Sequence, residues 1–383
     1  MVFVIINPII SKRKGRAYGK CGENMKFIHI ADVHLGMTPQ KGTLLGEKRA
    51  KELWDTFKNV VEQCEKQQVD ILFIAGDLFH RQPLKKEVLE VSYIFSTLTH
   101  TKVILIAGNH DYLTERSAYF GVQWSDNVIF LKEKEVSYVD IPELRTRVWG
   151  CSYWQKEIEE PCYNKIDKQL VTKDRYHVLL AHGGDNKHIP MDYKEMVGKG
   201  FDYIALGHIH KPYLFTKETG VVASKIAYAG SLEPLDISET KKHGYIKGII
   251  DEKGTRIQFV PAAKREYISL QVKVNETTTA MAFRNGVKKI IEKSGAKHMY
   301  RVVVIGEKDE ESTWTKEMLD GIGNIVEVVD NTKVAFDVDK LLEENKTNAI
   351  GMFIEKLQNT QQNNKALEYG LMALLHSDES VKK

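Results

Sequence analysis

With 383 residues, 42% of them hydrophobic and 28% charged, the chain has ordinary globular composition and enough length for two domains. Its 55 basic and 52 acidic residues leave a net charge of +3, too near neutral to argue for nucleic acid without local patches. The four cysteines, Cys21, Cys64, Cys151 and Cys162, show no C-x-x-C spacing, which excludes a zinc ribbon and fits reduced thiols in a cytoplasmic protein.

Residues 1–10 are apolar and are followed by Ser11-Lys12-Arg13-Lys14-Gly15-Arg16. That order reverses a secretory signal, and the apolar run is too short to cross a bilayer. Residues 1–24 are therefore read as a disordered extension or a misassigned start, with a basic arm for phosphate as the alternative. From Met25 onward, strand and helix alternate. Segments 27–31, 71–75, 103–107, 178–181 and 203–206 are short runs rich in Ile, Val and Leu, the pattern of buried strands. Ala50, Leu53, Trp54, Phe57, Val60, Val61 and Cys64 recur at helical spacing, and Val88, Val91, Phe95 and Leu98 predict a second amphipathic helix. His29, His100 and His177 sit in such runs and read as satisfied core histidines.

Each of the five strands ends in a small residue beside metal-type ligands: Asp32-Val33-His34, Gly76-Asp77, Gly108-Asn109-His110-Asp111, His182-Gly183-Gly184 and Gly207-His208-Ile209-His210. The carboxyl edge of an α/β sheet gathers such exits in one place. Two carboxylates, one amide and four imidazoles are too many donors for one tetrahedral ion. They suit two ions of higher coordination sharing a carboxylate, with Asp77 as the natural bridge. The expected chemistry is that of a two-metal phosphoesterase. The glycines before the ligands fit sharp strand exits where a side chain would crowd the site, and the loop at 35–46, carrying Lys41, lies at the same edge as a substrate contact or an idle surface loop.

In this order the motifs are similar to those of the calcineurin-like metallophosphoesterases. The stretch Gly230-Ser231-Leu232-Glu233-Pro234-Leu235-Asp236, followed by Lys242-His243-Gly244-Tyr245, resembles the close of the catalytic domain in the SbcD branch of DNA double-strand-break repair nucleases and their YhaO-type relatives. The resemblance implies an α/β fold, a two-sheet sandwich flanked by helices with a small α/β cap and a helical tail. It implies one ion held by Asp32, His34, Asp77 and His210, and another by Asp77, Asn109, His182 and His208, with two Mn2+ as the expected cofactors. His110 is then a catalytic group beside the scissile phosphate, with Asp111 as the partner expected to orient its ring and His80 assisting substrate placement.

The domain reading assigns 25–264 to the nuclease domain, 265–336 to a DNA-selecting cap and 337–383 to a helical tail. In the cap, strands at 267–274, 301–305 and 325–329 alternate with helices at 278–293 and 315–321. The tail reads as helices at 338–357 and 365–376 around a Gln/Asn-rich break. Its apolar face follows a domain that is already complete, which predicts burial either against the cap, as intramolecular packing, or against a partner helix. By resemblance that partner is an SbcC-like or YhaN-like coiled-coil ATPase. The implied activity is a manganese-dependent 3′-to-5′ exonuclease and endonuclease, a homodimer on DNA with no membrane attachment. A phosphatase or small-molecule phosphodiesterase on the same metal core, or a non-catalytic binding module, are the other classes.

Overall fold

A computed structural model describes residues 24–43, 45–215, 225–358 and 364–381. The expected N-terminal extension and most of the Gln/Asn-rich break lie outside the described residues. Among the described residues, no helix is long and apolar enough to cross a membrane. The chain divides into two compact units between Tyr267 and Ile268.

Among the described residues, the first unit contains twelve strands, taken in chain order as Asn24–Ile30 (β1), Ile71–Ala75 (β2), Lys102–Ile106 (β3), Val128–Phe130 (β4), Ser137–Ile141 (β5), Thr146–Gly150 (β6), Tyr176–His182 (β7), Tyr203–Gly207 (β8), Tyr213–Leu214 (β9), Ile226–Tyr228 (β10), Gly244–Asp251 (β11) and Gly254–Pro261 (β12). They form two six-stranded sheets, ordered β12-β11-β1-β2-β3-β4 and β5-β6-β7-β8-β10-β9. Within the first sheet β1 to β4 run parallel. Within the second, β6, β7, β8 and β10 do so.

Alternation along each strand sends neighbouring side chains to opposite faces. Phe27, Phe73 and Ile104 therefore meet Val178, Leu180 and Tyr203 between the sheets. Ile28, Leu72 and Val103 turn the other way, onto the helices Gly46–Lys66 (α1) and Lys85–Ser96 (α2). Leu179, Ala181, Ile204 and Leu206 face a third cluster with Met196 of the short helix Tyr193–Gly198 (α3). Both faces of both sheets are covered, which is why the strands read as continuous apolar runs. Leu53, Phe57, Val60, Val61 and Cys64 of α1 are buried, and each such large side chain contributes roughly 1.5–3 kcal/mol. His29 and His177 are buried as expected. His100 instead lies on the surface beside Asp70, at 3.0 Å, because the residues around it turn between α2 and β3.

A buried ionic cluster joins α1 to the Gly230–Asp236 motif. Arg49 contacts Glu52 at 2.8 Å and Glu233 at 3.0 Å, and donates to the Pro234 carbonyl. Glu233 also accepts from Thr56 and from the Lys264 N–H, and Arg265 Nε reaches Glu52 at 2.8 Å. Tyr267 accepts from Gln40. These contacts tie residues 264–267 to the first unit, so the division falls later than the 264/265 boundary expected from the sequence.

The second unit continues with Tyr267–Val274 (β13), Ala280–Ser294 (α4), Met299–Lys308 (β14) and Asn324–Val334 (β15) in a sheet ordered β13-β14-β15. Phe283, Val287 and Ile291 of α4 pack with Trp314, Val302 and Val304. The helix expected at 315–321 is only a 3-10 turn, Glu317–Leu319, because Gly321 and Gly323 follow it at once. Three tail helices follow: Val338–Glu344 (α5), Ala349–Gln358 (α6) and Asn364–Val381 (α7). The single helix expected over 338–357 is broken by two asparagines. Asn345 Nδ2 donates to the Leu341 carbonyl, while Asn348 Oδ1 accepts from the N–H groups of Ile350 and Gly351 and starts α6. The expected partnerless face is also corrected: Ile350, Ile354 and Leu371 close on each other with Leu341, Leu367 and Leu375, forming a small core of their own.

Candidate metal centre

The five strand exits converge, three from the first sheet (β1, β2, β3) and two from the second (β7, β8). The carboxylate and imidazole donors of Asp32, His34 and His210 lie within 4.8 Å of one another, as do those of Asp32, Asp77 and His182. Asn109 Oδ1 is 2.8 Å from His182 Nε2 and 3.1 Å from His208 Nδ1. His34 Nε2 stands 3.0 Å from His210 Nε2 and 3.8 Å from Asp77 Oδ2, and His182 Nε2 is 3.5 Å from the same Asp77 oxygen. Asp77 is thus central to both groups of donors.

The backbone is bent to achieve this. Asp32, His34, Asp77 and His208 have φ of 49°, 51°, 50° and 93°, the left-handed region that non-glycine residues rarely occupy. Strain gathered at four of the donor residues marks a place where the fold holds side chains against local preference. Two glycines clear the space. A Cβ on Gly76, at φ 85°, would run into the His182 ring, and one on Gly108 would run into the Asp77 carboxylate. The crowding is against the ligand side chains themselves.

Hydrogen bonds fix which atoms face inward. His182 Nδ1 donates to the Ala75 carbonyl at 2.8 Å, turning Nε2 toward Asp77. The His110 N–H donates to Asp77 Oδ1, and the His208 N–H lies 3.0 Å from both oxygens of Asp32. Burial pushes Asp32 up to about 6 against the pull of His210 and His182. Burial also works against an ionised Asp77, but His182 and His34 outweigh it and hold that carboxyl well below the usual range. His182 and His210, despite burial, are raised to about 9 by Asp77 and by Glu239 with Asp32 respectively. Protons on imidazoles balance the carboxylates where divalent cations would do so instead. Carboxylate, amide and imidazole donors packed this closely therefore fit two metal ions.

His80 and His110 join the same place, their donor atoms within 4.8 Å of that of His34. The two rings stack, with centroids 5.1 Å apart. His110 Nδ1 lies 3.0 Å from the His80 carbonyl, and His80 Nδ1 lies 3.3 Å from His34 Nδ1. Asp111 does not orient the His110 ring as the sequence suggested. Its buried carboxylate accepts from the N–H groups of Phe79 and Gly108 and from Tyr119 OH, at 2.6–3.1 Å, pinning the β2 and β3 exits together.

Residues 25–212 match the calcineurin-like phosphoesterase model. This chain carries a calcineurin-like phosphoesterase domain. It is similar to the DNA double-strand break repair protein Mre11 of Methanocaldococcus jannaschii, 29% identical over 70% of this chain and 73% of that protein. Mre11 of Archaeoglobus fulgidus is 29% identical over 65% and 61%, and the metallophosphoesterase YhaO of Bacillus subtilis 28% over 58% and 56%. The chain thus spans less than two thirds of the latter two relatives. These relatives agree with the SbcD and YhaO type to which the motifs pointed.

Several residues around the phosphoesterase site escaped the sequence reading. Glu239 Oε1 lies 2.7 Å from His210 Nδ1, and its other oxygen accepts from Ser231 Oγ and the Leu235 N–H. Asp185 Oδ2 lies 2.7 Å from His208 Nε2, and both Asp185 oxygens lie 2.9 Å from His188 Nδ1. Both carboxylates hold the outer nitrogen of a candidate ligand histidine, an arrangement that orients the ring and raises its basicity. The only signal in the sequence is their place: Asp185 comes three residues after His182, and Glu239 just after the Gly230–Asp236 motif.

Proposed function

We propose that this protein is a DNA phosphodiesterase that removes nucleotides from a 3′ end and nicks internally, working with a coiled-coil ATPase and using manganese. The reading rests above all on one pairing: the full set of seven donors in a phosphoesterase domain whose relatives carry the name of double-strand-break repair proteins.

Asp32, His34, Asp77 and His210 would hold one ion, and Asp77, Asn109, His182 and His208 the other. Two such ions supply Lewis acidity to a phosphoryl oxygen and activate water for in-line attack. The chain itself supplies the proton chemistry. With Nδ1–H committed to the His80 carbonyl, His110 presents Nε2 to the phosphate, where its protonated form hydrogen-bonds a developing anionic oxygen or protonates the leaving one. His80, stacked on it and in contact with His34, couples the placement of the phosphate to that of a ligand ring. Residues 265–336 serve in this reading as the part that selects DNA, and 337–383 as the segment for the ATPase.

Purified protein with manganese should digest linear duplex DNA and cleave a nitrophenyl phosphodiester, and leave a phosphomonoester largely intact. Preference for the monoester would favour a phosphatase, and no turnover of any of the three would favour a binding module.

A further inference from the structure

A surface cavity of about 840 Å³ opens in the first unit and is lined by Trp149, Cys151, Trp154, Ile158, Cys162 and Ile166, among others. None of the metal-site residues lines it. Two thiols do. Cys151, buried, follows β6, and Cys162, half-buried, begins the 3-10 turn Cys162–Lys165. Their sulfur atoms are 3.8 Å apart. A disulfide needs about 2.05 Å, so an approach of roughly 1.8 Å closes the bond. The short turn that carries Cys162 is the side able to yield, since Cys151 directly follows β6, a strand paired on both sides.

We propose that Cys151 and Cys162 form a reversible disulfide, a redox modification site that takes a small hydroperoxide from the cavity. The Cys151 thiolate attacks one peroxide oxygen, the O–O bond breaks and an alcohol or water departs, leaving a sulfenic acid. Cys162 sulfur then attacks that sulfur, S–S forms, and the hydroxyl leaves as water with the Cys162 proton. Two thiols lose two electrons, and the hydroperoxide gains them. The Cys162 hydrogen bond, against burial and with help from Tyr163, holds the Cys151 thiol below its ordinary range, which suits it as the attacking group.

The pair is linked to the metal centre. Tyr163 adjoins Cys162 on the same turn, and its hydroxyl lies 3.4 Å from the His182 N–H. Tyr153, two residues after Cys151, donates to the His182 carbonyl at 3.1 Å. Drawing the turn toward Cys151 displaces Tyr163 and disturbs the end of β7, so oxidation weakens the grip of His182.

The test treats the full chain with hydrogen peroxide, blocks remaining thiols with an alkylating agent and reads the peptides by mass spectrometry. A Cys151–Cys162 linked peptide should appear in the wild type, vanish with dithiothreitol and be absent in Cys151→Ser and Cys162→Ser. Manganese affinity, measured by equilibrium dialysis, should fall about tenfold in the oxidised wild type and stay unchanged in peroxide-treated Cys162→Ser. Sulfinic acid at either residue, or linkage through Cys64 instead, would overturn the disulfide. Linkage with unchanged affinity would overturn its coupling to His182.

Discussion

At the scale of single residues, the proposed function separates groups that would hold ions from groups that would handle protons. His110 donates its backbone N–H to Asp77, while its ring, beside that of His34, is anchored on the His80 carbonyl. His110→Gln should therefore lower turnover about a hundredfold or more with metal content intact, whereas Asp77→Ala should lose bound metal. Elemental analysis beside a diester assay decides it, and metal loss from the His110 variant would sink the assignment. Glu239 acts one step further out. Glu239→Gln keeps a hydrogen-bond acceptor but removes the charge behind His210, so manganese affinity should weaken about 10- to 100-fold in a titration while secondary structure is unchanged.

The same scale holds the buried ionic cluster. Arg49 is fully buried between Glu52 and Glu233. Arg49→Met leaves Glu233 without its main partner, and urea unfolding should show a loss of about 3–5 kcal/mol. Loss below about 1 kcal/mol would mean that Arg265 and Thr56 suffice. The sequence placed Glu233 in a motif without a role. The role comes from α1, 184 positions away in the chain.

At the scale of elements, the strand exits that gather at the candidate metal centre were legible because strand, small residue and donor lie within a few consecutive positions. The breaks in the tail were not, because α5 and α6 share one apolar spacing and only the paired side chains of Asn345 and Asn348 decide where the helix stops. Leu371 is fully buried in the tail's own cluster. Leu371→Ala should thus destabilise the tail by roughly 2–5 kcal/mol, seen as early loss of helical circular dichroism on heating. It is a poor probe of a partner. Met352 and Tyr369, both about two-thirds exposed, are the better one. Met352→Asp with Tyr369→Ala should release a co-purifying ATPase at unchanged melting temperature, and retained ATPase would count against the tail as its docking segment.

At the scale of the whole molecule, the two compact units predict separable activities. A chain ending at Tyr267 retains every donor, so its hydrolysis of a small diester should remain close to that of the full chain while duplex digestion falls sharply. A chain ending at Lys264 should be less stable, because it lacks Arg265 beside Glu52 and Tyr267 beside Gln40. Equal retention of both activities in the longer truncation would leave the second unit without a part in DNA selection.

The amino-acid order sufficed for the class of fold and for the strand exits that the structure gathers in one place, since apolar runs ending in Asp, Asn and His are local patterns. Local patterns carry no information on pairing across the chain. Which sheet each donor comes from, the reach of Asp111 to Phe79 32 residues away, and the carboxylates Asp185 and Glu239, 23 and 29 residues from His208 and His210, depend on distant segments meeting in space. The same is true of His100, which an apolar run suggested for the core and a turn carried to the surface. Spacing decides what a side chain can bind. Packing decides what stands behind it, and here that second layer sets the ring orientations and charges on which the metal centre rests.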